Sequence, residues 1–200
     1  MEKPAETQYP IHDLLKRRWS PRAFAERPVE PDKLRSLFEA ARWAPSSNNE
    51  QPWRFMMAVK ENRAEWDRLF YCLVEGNQKW AHRVPVLMLS VAKLTFDDES
   101  VNRHALHDTG MAVENLVLQA TALGLAGHQM AGFHRDKARK ECEIPDGYDP
   151  VAMIALGYPA DAGVLEDRLR QRELSPRQRQ PIVEFVFTSI WKTPSPIVSL

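Results

Sequence analysis

The 200-residue sequence contains no N-x-Ser/Thr sequon, no Cys-x-x-Cys pair, no Walker loop and no G-x-S-x-G elbow. The markers of a glycosylated secreted chain, a thiol redox motif, a P-loop nucleotide hydrolase and an α/β-type serine hydrolase are therefore all missing. Cysteine is scarce as well. Cys72 and Cys142 stand far apart, which fits two buried thiols in a reducing compartment rather than a disulfide framework. Net charge is lacking too, with 27 Lys and Arg against 27 Asp and Glu, and the halves of the chain carry +1 and −1. No basic arm can displace counterions from nucleic acid or dock on an anionic membrane, so a small polar or aromatic ligand is expected as the partner. The one charge-free run of bilayer length, residues 115–134, is interrupted by Asn115, Gln119, His128, Gln129 and three glycines. It reads as a buried helix followed by a turn and a strand, with no membrane contact expected. The first six residues are charged and carry no apolar core of a signal peptide, which makes the cytoplasm the expected address.

What is present is an ordinary globular composition, 44% hydrophobic and 27% charged. One domain over residues 1–200 is expected. No proline falls between Pro85 and Pro145, so the long regular elements belong there. Hydrophobic periodicity predicts helices over 11–17, 31–43 and 62–74, and strands over 53–59 and 84–92. A long apolar helix is expected from caps at Phe96 to Ser100 through to a stop at Gly124, followed by a strand over 125–130, a helix over 134–142 and a strand over 150–157. The pattern is α+β. Residues 161–180 are polar and rich in arginine. An apolar run over 181–191 then reads as a strand, and the segment 161–200 is expected to wrap a partner subunit.

Two stretches carry chemistry. Lys16-Arg17-Arg18-Trp19-Ser20-Pro21-Arg22 places guanidinium groups and a hydroxyl on a loop after a short helix, which suits either a phosphate or a solvated basic turn. Pro45-Ser46-Ser47-Asn48-Asn49-Glu50-Gln51-Pro52-Trp53 strings together hydroxyls and amides able to meet a ligand's polar edge or to cap their own backbone. His104 and His107 share a helical face beside Asp108, but no spacing supplies the further ligand a zinc site requires, and no metal is expected.

The R-W-S-x-R and A-P-S-S-x-N-x-Q-P-W strings resemble the nitroreductase family of FMN-dependent oxidoreductases. Asn77-Gln78-Lys79-Trp80 resembles that family's N-x-x-W variant, Gly124 to Phe133 its flavin-facing loop, and Arg177-Gln178-Arg179-Gln180-Pro181 its C-terminal basic clamp. The resemblance runs from about residue 11 to 191. It implies a mostly antiparallel central sheet flanked by helices, in an intertwined homodimer with FMN at the interface. Arg18, Arg177 and Arg179 would hold the phosphate, with Ser20 beside the ribityl chain. Arg22 and Asn77 would lie near the pyrimidine edge, where positive charge stabilises the anion formed on reduction. Pro45, Ser46, Ser47 and Asn49 would reach the other subunit's flavin, and the backbone of Met130, Ala131 and Gly132 would face its N5 edge. Trp19 and Trp80 occupy site positions at which relatives often carry a polar residue and a lysine, respectively.

The resemblance implies ping-pong reduction of a nitroaromatic, quinone or similar small acceptor, with NADH or NADPH as donor and no side-chain acid or base. Gly124, Gly127 and Gly132 do not form G-x-G-x-x-G, so the nicotinamide would visit as a substrate without a Rossmann domain. The alternatives are an FMN-holding or storage protein without efficient turnover, and a specialised flavin enzyme that dehalogenates or uses oxygen.

Overall fold

The computed structural model describes residues 2–198. Met1, Ser199 and Leu200, at the limits of the domain expected over 1–200, lie outside the described residues. Four strands, β1 (Trp53–Val59), β2 (Val86–Lys93), β3 (Ala126–Met130) and β4 (Tyr148–Gly157), form one antiparallel sheet in the order β1-β2-β4-β3. The unbroken apolar sequence of β2 follows from its central position, because alternate side chains enter two separate cores. Leu87 and Leu89 join Met153, Ala155, Trp66 and Leu73 on one face. Val86 and Met88 join Ile154, Leu156, Leu37 and Leu116 on the other.

Among the described residues, seven helices cover the faces and ends: α1 (Asp13–Arg17), α2 (Pro31–Arg42), α3 (Arg63–Phe70), α4 (Glu75–Ala81), α5 (Ala105–Ala122), α6 (Arg135–Glu141) and α7 (Asp167–Leu174). Pro31 opens α2 where its missing N–H costs nothing. The spine is α5, whose Ala112, Val113, Leu116, Val117 and Ala120 are buried against α2 and the sheet. It ends as expected at Gly124, whose φ of +75° lets Leu125 N–H return to Ala120 O at 2.8 Å, closing the orphan carbonyls.

Three expectations need correction. The helix expected over 62–74 stops at Phe70, because Leu73 turns away to bridge Phe133, and a separate helix, α4, follows. The acidic cluster at 97–99 does not cap α5: Asp97 pairs with Lys93 at 2.6 Å, Asp98 accepts from Ser100, and α5 begins only after His104. The run 181–191 forms no strand of the sheet. It makes a single 3-10 turn at Ile182–Glu184 and one bridge between Phe187 and Pro194, with Pro181, Pro194 and Pro196 withholding backbone donors.

Candidate functional site

The turn after α1 is built by contacts with distant parts of the chain. Ala25 N–H donates to Tyr158 O and Ala160 N–H to Ala23 O, both at 2.9 Å, which ties the segment after Arg22 to the exit of β4. Glu173 of α7, 1% exposed, accepts from Arg22 N–H at 2.9 Å and from Ala23 N–H at 3.0 Å. His128 of β3 sits 2.8 Å from Pro21 O. A carbonyl only accepts, so Nδ1 carries a proton in this contact.

These ties bring the two ends of the chain around a pocket of 240 Å³ walled by Lys3, Arg18, Trp19, Ser20, Arg22, Arg172, Glu173, Ser175, Arg177 and Arg179. Six of the expected residues, Arg18, Trp19, Ser20, Arg22, Arg177 and Arg179, therefore meet in one place. Lys3, Arg172 and Glu173 join them without having been singled out as site residues. Lys3 comes from the N-terminal arm, its ammonium lying over the Trp19 ring and donating to Glu173 O. The signal for Glu173 is positional: it falls four residues after Leu169, on the face of α7 that packs inward.

Electrostatic crowding marks the pocket. Burial lowers the pKa of Arg22, and the charge of Arg172 lowers it further, with Glu173 opposing. Burial likewise lowers Arg177, reinforced by Arg18 and Arg179. Lys3 is lowered by burial against the pull of Glu173. Six cations held this close against the carboxylates of Glu173 and Glu114 favour an anion between them.

Arg177 holds a different place from a free phosphate ligand. Its Nη1 donates to Lys3 O at 2.8 Å and Lys16 O at 2.9 Å, and its Nη2 to Arg18 O at 2.9 Å. The guanidinium fork thus clips the N-terminal arm and the end of α1 to the C-terminal segment, while its charge remains in the pocket wall. Arg18 stays 3.6 Å from Glu114 of α5.

Beyond His128, β3 runs into Met130, Ala131 and Gly132, where Asn77 of α4 donates from Nδ2 to Gly132 O at 3.0 Å. A Cβ on Gly132 would stand 2.7 Å from that nitrogen, so glycine is what lets the amide lie against the loop. Trp80 is the exception in this group. It is 1% exposed, with its ring centroid 6.1 Å from Phe24 and 4.8 Å from His128, so it is a core residue behind the loop and presents no surface to a ligand.

Pro45, Ser46, Ser47 and Asn49 do not line the cationic pocket. Their loop is pinned to α5, where the buried Asp108 accepts from Ser47 N–H at 2.9 Å. Asn48, Asn49 and Gln51 hold φ of +52°, +58° and +48°, a conformation that asparagine tolerates better than most residues. Asp108, considered in sequence as a metal neighbour, is instead the anchor of this loop.

The fold and the pocket together define an α+β protein with a cation-lined pocket where the N-terminal arm meets the C-terminal segment. The chain belongs to the nitroreductase family, whose model matches residues 15–158. It is similar to a solved structure described as an oxidoreductase containing FMN, at 34% identity and a TM-score of 0.89, covering 94% of this chain and 96% of that one. A nitroreductase family protein from Clostridium difficile is 27% identical with a TM-score of 0.67, over 86% of this chain and 94% of its own. A Thermus thermophilus relative named NADH dehydrogenase is 26% identical over 82% of this chain and 95% of its length. The family match ends before α7, so Arg172, Glu173, Arg177 and Arg179 lie beyond it.

Proposed function

We propose that this protein is an FMN-dependent NAD(P)H oxidoreductase that reduces a small organic acceptor, nitroaromatic, quinone or similar, by a ping-pong mechanism. The observation that carries the reading is the pocket in which Lys3, Arg18, Arg22, Arg172, Arg177 and Arg179 converge with Ser20 and Ser175. Its donor set fits a phosphomonoester: guanidinium forks and hydroxyls suit a near-dianion, and relief of cation crowding makes binding stabilise the fold. FMN, when bound, would supply the redox chemistry: hydride uptake from NADH or NADPH and reduction of the acceptor.

The chain's own residues position and tune. Arg18 and Arg179 would hold the phosphate, Arg177 would add charge while holding the N-terminal arm to the C-terminal segment, and Ser20 would serve the ribityl chain. Arg22, from the wall of the pocket, and Asn77 would serve the pyrimidine edge, where a fixed positive charge favours the reduced, anionic form. Met130, Ala131 and Gly132 would offer backbone to the N5 edge. Trp80 acts only through packing under this loop.

At 240 Å³ the pocket is below the roughly 300–1,000 Å³ of sites that enclose a whole ligand of this size. It takes the phosphate end, and the ring system needs walls from elsewhere. A second copy supplies them in this reading, through its Pro45, Ser46, Ser47 and Asn49 loop, with the C-terminal segment 161–200 reaching across the homodimer.

The test is an absorbance spectrum of the purified protein, followed anaerobically after adding NADH and then NADPH. A flavin spectrum that bleaches is expected, and the nucleotide that bleaches it faster is the donor. A flavin spectrum that neither nucleotide bleaches replaces the reductase with an FMN-holding protein. A colourless protein that FMN cannot reconstitute removes the reading.

A further inference from the structure

A carboxylate in the wall of an anion pocket is out of place on charge alone. Glu173 stands with Lys3, Arg18, Arg22, Arg172, Arg177 and Arg179, yet among the described residues it is the most deeply buried charged side chain, at 1% exposure. Burying a carboxylate costs several kcal/mol unless hydrogen bonds and an opposite charge repay it. Here the repayment comes from one turn: Oε1 accepts from Arg22 N–H at 2.9 Å and Ala23 N–H at 3.0 Å, and Oε2 accepts from Arg22 N–H at 3.1 Å. The same Oε2 lies 4.0 Å from Arg22 Nη1. Backbone and side chain of Arg22 are thus held by one group, supplied by a helix outside the stretch that matches the family model.

We infer that Glu173 is the positioning residue for Arg22, fixing the turn that presents the Arg22 guanidinium to the anionic cofactor; the inference rests on the flavin reading above. Glu173 does not touch the ligand itself, since its oxygens are directed at the N–H groups behind the pocket wall. Its effect passes through the φ and ψ of Arg22 and the ion pair.

Charge counting and positioning predict opposite signs. If Glu173 acted only as a negative charge near an anion, Glu173→Gln would tighten FMN binding. If it positions Arg22, the amide loses one acceptor and turns N–H groups toward Arg22, and binding weakens by about tenfold or more. The experiment is a fluorescence titration of apoprotein with FMN for wild type, Glu173→Gln, Arg22→Ala and the double variant, with circular dichroism to check each fold. The expected result is weaker binding in Glu173→Gln and a double variant no worse than Arg22→Ala, because the glutamate acts through the arginine. Unchanged or tighter binding in Glu173→Gln overturns the inference, as do losses that multiply in the double variant. Should Glu173→Gln fail to fold, Glu173→Asp, which keeps the charge but withdraws it by one methylene, carries the same expectation. Loss of fold in both variants also overturns it, since the carboxylate would then hold the chain rather than Arg22. Wild type is the control for the flavin itself: no FMN binding there refutes the functional reading, whereas wild-type binding unaltered by these substitutions refutes only the role of Glu173.

Discussion

His128 connects the core to the site through a single side chain. Its imidazole lies between the Trp80 ring and Pro21 O, and burial pushes its pKa down from 6.5 to about 4, with the nearby Arg22 charge adding to the effect. A lowered pKa in the folded state means that the unfolded chain binds the proton more readily. The stability held by neutral His128 is therefore complete above the unfolded value of 6.5 and is lost as pH falls toward 4. A shift of this size corresponds to about 3 kcal/mol. His128→Gln retains an N–H for Pro21 O and removes the titration. In urea unfolding from pH 7.5 to 4, wild type is expected to lose about 3 kcal/mol more than His128→Gln. Parallel stability curves for the two proteins would show that the imidazole does not sense pH in this way.

The loop over residues 46–51 depends on α5 for its shape. Three left-handed non-glycine residues cost of the order of 1 kcal/mol each, and the fixed points opposing that strain are Asp108 on Ser47 N–H and Ser46 Oγ on Gln51 N–H at 3.0 Å. Asp108→Ala leaves the Ser47 donor without its partner, at about 1–3 kcal/mol. Faster amide hydrogen exchange is expected in 46–51 with the Arg18 to Arg22 turn unchanged, and equal exchange in both proteins would mean that Asp108 does not hold the loop. Such long-range anchors explain what could be read from the sequence and what could not. The strands were legible because β2 and β4 need apolar residues on both faces, and Gly124 marked the end of α5 because only a left-handed residue fits there. The acidic residues at 97–99 misled because Lys93, at the end of a strand, offered Asp97 a closer partner than the helix did. The depth of Trp80, 1% exposed behind the loop, was not legible because a motif gives position in sequence but not depth. Glu173 was overlooked because its value depends on a turn some 150 residues away.

At the scale of the whole molecule, the C-terminal segment is the part that a single chain leaves unexplained. Phe185, Ile190, Trp191 and Ile197 are 57%, 66%, 78% and 84% exposed, in a stretch that makes no strand of the sheet. Water contact on that much apolar and aromatic surface is unfavourable, and a partner surface would remove it. The segment begins where Arg177 and Arg179 enter the cationic pocket, so a copy that buried it would also border the proposed cofactor site. The same partner would bring the ring-side walls that a 240 Å³ pocket does not provide. Both needs would be met at once by the homodimer proposed above, with its C-terminal segments crossing. Sedimentation velocity is expected to show a dimer for wild type and a monomer for the double substitution Ile190→Glu and Trp191→Glu, because desolvating two carboxylates opposes a contact whose core is apolar. FMN affinity is expected to fall with the dimer, since each pocket would keep its phosphate cations and lose its ring-side walls. A wild-type monomer with full FMN affinity would place the whole flavin site within one chain, and a glutamate variant that remains dimeric would move the interface away from this segment.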